Sequence, residues 1–163
     1  MGDMASEEVQ WLSEAEQVSW RAYLRANREL DVALDRDLQA AGISLSEYEL
    51  LSMLSEAPMG QLRMSALASL IVQSRSRVTH TISRLEKAGL VVRESCLSDG
   101  RGVEAILTEQ GVAALHEAAP THVAGVRAFL VDLAAEEDFA ALGRVFDTVT
   151  DKLIEGNPAV DIR

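Results

Sequence analysis

Residues 74–107 read SRSRVTHTISRLEKAGLVVRESCLSDGRGVEAIL, and the hydrophobic period of this stretch changes midway. Up to Ala88, the apolar residues Val78, Ile82 and Leu85 recur at helical spacing and form one stripe on a helical wheel. Ser74 is placed to cap this helix and Gly89 to stop it. After Gly89 the pattern becomes strand-like. Leu90-Val91-Val92-Arg93 and Val103-Glu104-Ala105-Ile106-Leu107 read as two short strands joined by a polar tip, residues 95–102, with Gly100 and Gly102 as turn residues.

Upstream, Ser44 and Glu47 make an S-x-x-E capping box that opens a helix with Leu50, Leu51 and Leu54 turned inward, closing before Pro58. Ser65 is expected to cap a brief helix carrying Leu67, Leu70 and Ile71. Three helices followed by a β-hairpin outline a winged helix-turn-helix over residues 43–107. Long amphipathic segments flank it. Ser13 and Glu16 form another capping box, followed by Val18, Leu24, Leu30, Leu34 and Leu38, with Gly42 as the stop. That helix would run for roughly 27 residues, or about 40 Å. Thr108 is placed to cap a fifth helix, with Leu115, Ala119, Val123, Val126 and Leu130 along one side and Pro120 expected to kink it. A last helix over 135–155 spaces Phe139, Leu142, Val145, Phe146, Val149 and Leu153 on one face, with Glu136, Glu137 and Asp138 suiting its positive end. Elements this long need a partner to bury them, so residues 1–42 and 108–163 are expected to form a helical dimerisation region. The expected fold is mainly α with a small β-hairpin wing: a winged helix-turn-helix embedded in a helical dimerisation frame.

Charge separates along the chain. Residues 61–101 hold seven Lys/Arg against three acids, whereas the whole chain of 163 residues has a net charge of −11. A basic island in an acidic protein is the electrostatic footprint of a nucleic-acid contact, and the acidic remainder would orient the approach by repelling the same polyanion. The lone cysteine, Cys96, excludes an intramolecular disulfide framework and a cluster of zinc-binding cysteines. The chain lacks a long apolar run, and its acidic N-terminus does not read as a secretory signal, so a cytoplasmic location is expected. No nucleophile–base pair, metal-ligand set or glycine-rich phosphate loop stands out, so neither enzyme activity nor a cofactor is expected.

The polar face of the helix over 74–88 carries Ser76, His80, Ser83 and Lys87, flanked by Arg77, Thr79 and Arg84. Short hydroxyls allow close approach to base edges, and arginine pairs bidentately with guanine in the major groove. Because helix-turn-helix proteins read bases with the N-terminal half of the second helix, Ser76, Arg77, Thr79 and His80 are the candidates for bases. His80 reads equally well as a surface histidine without a role. Ser74, Arg75 and Arg84 are better placed for phosphates, the first two aided by the helix N-terminus. At the hairpin tip, Arg101 between glycines has the shape to enter a minor groove, while Asp99 is placed to brace Arg101 or reach Arg84; an ordinary Asp-Gly turn is the simpler alternative.

The run Leu85-Glu86-Lys87-Ala88-Gly89-Leu90-Val91-Val92-Arg93, then Asp99-Gly100-Arg101 and Leu107-Thr108-Glu109-Gln110-Gly111, resembles the MarR family of bacterial transcriptional regulators, whose pattern has D-x-R in the wing and L-T-x-x-G at the next helix. The order of elements agrees over nearly the whole chain. The resemblance implies a winged-helix homodimer paired through its first, fifth and sixth helices. It also implies a roughly palindromic double-stranded DNA operator, and usually repression relieved by a small ligand or an oxidant. Some members bind phenolic or other aromatic anions between frame and winged module. Candidate lining residues here are Trp20, Tyr23, Tyr48, Met53 and His122, with Arg21 or Arg25 as a carboxylate partner; as side chains of core or surface they need no ligand. Other members are thiol switches through a cysteine in the first helix, which this chain lacks. Cys96 is expected to be partly exposed near the wing, where a redox-responsive regulator would use it. The rival from another class is a winged-helix scaffold for protein interaction that does not bind DNA, which the net negative charge keeps open.

Overall fold

The computed structural model describes residues 9–71, 74–96 and 102–154. Helix α1, Glu14–Ala40, opens on the expected capping box: the Ser13 N–H donates to Glu16 Oε2 at 2.7 Å, and the Glu16 N–H donates to Ser13 Oγ at 3.3 Å. Helix α2, Leu45–Glu56, opens the same way on Ser44 and Glu47. These reciprocal bonds satisfy N–H groups that a helix end leaves without partners. Gly42 follows α1 with a φ of +88°, a conformation that glycine adopts without steric cost. The Leu45 N–H, another of the unpaired donors of α2, reaches Asp35 Oδ1 of α1 at 2.9 Å and ties the two helices together.

A short strand follows, β1 (Gln61–Arg63), then α3 (Met64–Leu70), α4 (Arg75–Lys87), β2 (Val91–Ser95) and β3 (Val103–Leu107). The strands form one antiparallel sheet in the order β1-β3-β2, with Val91 opposite Leu107, Ser95 opposite Val103, and Leu62 opposite Ala105. The sequence reading missed β1, and it placed the first hairpin strand one residue early. Ser65 does not cap α3. The N-cap is Arg63, with no side-chain bond, because β1 runs directly into the helix and Ser65 falls inside its first turn.

Helix α5, Glu109–Phe129, begins at the Thr108 cap as expected and continues through Pro120, which supplies no N–H to the preceding turn. It ends one residue short of Leu130, whose φ of −139° lies outside the helix. Its inward side is Leu115, Ala118 and Gly125, while Val123 is exposed. At Gly125 the backbone lies so close to α1 that a Cβ would stand 2.8 Å from Leu34 Cδ2. After a 3-10 turn at Val131–Leu133 comes α6, Glu136–Ile154.

The core joins α1 (Leu38), α2 (Leu50, Leu51, Leu54), α3 (Leu67), α4 (Val78, Ile82, Leu85), the sheet (Val91, Ala105) and α5 (Leu115, Ala118). The winged module is thus welded to the inner ends of α1 and α5. Farther out the picture reverses. Trp11, Val18 and Trp20 near the start of α1, and Val145, Phe146, Val149 and Leu153 along α6, remain exposed. The two helices touch through Tyr23 and Phe146 and otherwise leave these apolar side chains uncovered.

Candidate nucleic-acid interface

The recognition helix α4 is set by its cap. Ser74 has φ −64° and ψ 143°, and its Oγ accepts from the Arg77 N–H at 3.3 Å while lying 3.1 Å from Ser76 Oγ. The buried side of α4 is the expected stripe of Val78, Ile82 and Leu85, joined by Thr81, whose hydroxyl donates to the Arg77 carbonyl at 3.2 Å and so enters the core satisfied. Ser74, Arg75, Ser76, Arg77, Thr79, His80 and Arg84 are all exposed. Thr79 turns its hydroxyl back to the Arg75 carbonyl at 2.8 Å. Because the Ser74 cap holds the first turn, Ser74→Ala should cost about 1 kcal/mol. In a calorimetric melt this appears as a midpoint lowered by about 3 °C.

The cations of α4 have different neighbours. Arg75 and Thr79 face a groove completed by Arg63, Met64 and Ser65 at the β1–α3 junction and by Gly102 and Val103 of the hairpin. Arg77 opens onto a cleft with Asp31 and Asp35 of α1 and Glu49 of α2. In that cleft, burial and then Asp31 push the Glu49 carboxyl up, and Arg77 partly offsets them. Arg84 reaches Glu47 Oε1 at 3.0 Å. Arg93 on β2 chelates Glu86 at the end of α4, and this bond holds the Glu86 carboxyl below its usual range. The hairpin is thereby tied to the recognition helix. Asp99 and Arg101, the expected wing-tip residues, lie outside the described residues.

Cys96 departs from expectation. It is buried, with 4% exposure, rather than partly exposed, because the Arg63 guanidinium donates to its Sγ at 3.3 Å while Sγ lies 3.4 Å from Glu104 Oε1. Arg63 is the cation that sequence reasoning left unassigned. A three-residue strand carries no period, so nothing placed Arg63 beside the hairpin.

The ligand candidates fall into two places. Tyr48 of α2 and His122 of α5 meet in a tilted ring contact, with centroids 4.4 Å apart and planes 33° from parallel. Burial lowers the His122 imidazole and raises the Tyr48 phenol, the latter aided by Glu56. His122 Nδ1 is buried without a hydrogen-bond partner among the described residues. Met53 packs partly buried against the core. Trp20 lies elsewhere, on α1, stacked on Tyr23, which in turn touches Phe146. Arg25 lies on the surface of α1 with Arg21 and Arg28.

A capped basic helix lying against a three-stranded wing, and mounted on long apolar-faced helices, defines a winged-helix DNA-binding protein. Residues 43–103 match the family model described as the MarR family. AbsC, a MarR family regulator from Streptomyces coelicolor, is 43% identical over 89% of this chain and 98% of its own, with a TM-score of 0.81. Sco3205, a MarR family regulator from the same organism crystallised in complex with DNA, is 41% identical over 96% of this chain and 97% of its own, with a TM-score of 0.84. The transcriptional regulator PecS of Dickeya dadantii is 31% identical over 121 residues, 71% of this chain and 72% of PecS. The chain belongs to the MarR family of transcriptional regulators.

Proposed function

We propose that this chain is a homodimeric, sequence-specific regulator that binds a pseudo-palindromic operator as a repressor and responds to a small ligand. The observation that carries the DNA reading is the exposed face of α4, cationic and free of carboxylates from Arg75 to Arg84, in a chain of net charge −11. The DNA complex of the 41% identical Sco3205 supports the same reading. Ser76, Arg77, Thr79 and His80 contact bases in the major groove. Ser74, Arg75 and Arg84 contact phosphates, and Asp99 and Arg101 of the wing belong to the neighbouring minor-groove contact. The uncovered apolar faces of α1 and α6 support pairing with a second copy, which sets two recognition helices on one duplex face.

The effector belongs at the α2–α5 junction, where the Tyr48 and His122 rings meet and the unpartnered Nδ1 offers a polar contact to a small aromatic or phenolic molecule. Met53 of α2 is a further candidate for lining it, whereas Trp20 and Arg25, at their own place on α1, are candidates for a separate ligand contact.

The test is selection of 30-base-pair duplexes from a random library, followed by fluorescence anisotropy across a salt series. Two phosphate-binding cations per subunit predict a log–log slope of roughly −4 for the dimer. Recovery of no preferred duplex, or a slope near zero, would leave the scaffold reading in its place.

A further inference from the structure

Arg84 has a neighbour that a simple phosphate contact does not require. Glu47 is buried, with 8% exposure, on the first turn of α2. Its Oε2 accepts from the Ser44 N–H at 2.9 Å and the Ser44 hydroxyl at 2.7 Å. The other oxygen, Oε1, lies 3.0 Å from the Arg84 guanidinium. The carboxylate is therefore fixed by its own helix cap, and Arg84 from the last turn of α4 comes to meet it.

We infer that Glu47 is a positioning residue for DNA reading, fixing the rotation of the recognition helix through Arg84, so that this pair contributes discrimination between sequences more than attraction to phosphate. The inference rests on the DNA-binding reading above. Its physical ground is the contrast between the two ways α4 is held. Val78, Ile82 and Leu85 hold one side of the helix by apolar packing, which is non-directional. An aliphatic ridge of that kind resists lifting more than it resists turning. A charge-assisted bond to a carboxylate that cannot move is directional and resists turning. The pair sits beyond the base-contacting half of the helix, next to fully buried Leu85, where it acts as a stop on rotation without occupying the reading face. A buried carboxylate also needs its cation, so the tether persists when the protein is free of DNA.

Glu47→Gln separates the roles, because glutamine at this position still serves a capping box but no longer attracts a guanidinium. Affinity would be measured by anisotropy on the duplex selected with the wild-type protein and on a scrambled duplex of equal length. The expected result is about tenfold weaker binding to the selected duplex, with scrambled-duplex affinity unchanged or raised by the loss of a negative charge. Arg84→Ala should lower the ratio of the two affinities similarly, with a thermal melt of each variant confirming that it is folded at the assay temperature. Adding Glu47→Gln to Arg84→Ala should then change that ratio no further. An unchanged ratio in both single variants overturns the inference, as does a parallel rise on both duplexes, which would make Glu47 a mere competitor for Arg84. A parallel fall on both duplexes in Arg84→Ala also overturns it, since Arg84 would then be a plain phosphate contact. Failure of the wild-type protein to select any duplex is the separate failure of the DNA-binding reading.

Discussion

Gly111→Ala is expected to be the most damaging glycine-to-alanine change among the described residues, costing about 3 kcal/mol of stability. A Cβ on Gly111 would stand 2.1 Å from the carbonyl oxygen of Leu90 and 2.6 Å from Leu107 Cδ1. The first contact is with backbone, so no rotamer change relieves it. The surrounding bonds show why the approach is so close. The Thr108 hydroxyl donates to the Gly89 carbonyl at 2.8 Å and accepts from the Gly111 N–H at 3.0 Å, while the Thr108 N–H donates to the Leu90 carbonyl at 3.1 Å. The start of α5 is thereby stapled to the turn that leaves the recognition helix, where Gly89 takes a φ of +76°. Leu107, Thr108 and Gly111, the L-T-x-x-G of the family pattern, are thus one joint between the winged module and helix α5. Denaturant melts followed by far-UV circular dichroism should show the loss directly, and a wild-type midpoint would show that the joint yields.

Arg77→Ala carries the largest expected effect on function. It should cost about 1–3 kcal/mol of operator affinity and relax specificity at one base pair. Arg77 is exposed in the first turns of α4, the half of the second helix with which helix-turn-helix proteins read bases. It shares a cleft with Asp31, Asp35 and Glu49, and its charge partly offsets the upward push on the Glu49 carboxyl, so the variant should also leave that cleft more acidic. Repeating the duplex selection with the variant measures both quantities, and Arg144→Ala on α6 serves as the control of equal charge. Equal affinity and an identical selected sequence would remove Arg77 from the base-reading set.

What the sequence revealed follows from how local the signals are. Both capping boxes, the Ser74 and Thr108 caps and the glycine stops act within a few residues, and all formed as read. The Val78–Ile82–Leu85 stripe was legible because helical period alone assigns it. Features that depend on distant partners were hidden. Strand β1 is three residues long and exists through its pairing with β3, which a single-sequence pattern does not contain. Ser65 looked like a cap because the strand before it was unseen. Thr81 reads as polar yet enters the core, since its hydroxyl is satisfied within its own helix. Cys96 read as exposed because it borders a polar tip, whereas Arg63 from another strand closes over it. The Glu47–Arg84 tether joins two segments, each legible alone, whose contact only the fold creates.

Hydrogen exchange read by mass spectrometry, with and without the selected duplex, tests most directly whether α4 is the surface that meets DNA. Backbone amides over residues 74–84 should slow on adding the duplex, while those of the acidic start of α6, Glu136 to Asp138, should exchange at the same rate. Slowing confined to α1 and α6, with residues 74–84 unchanged, would contradict it.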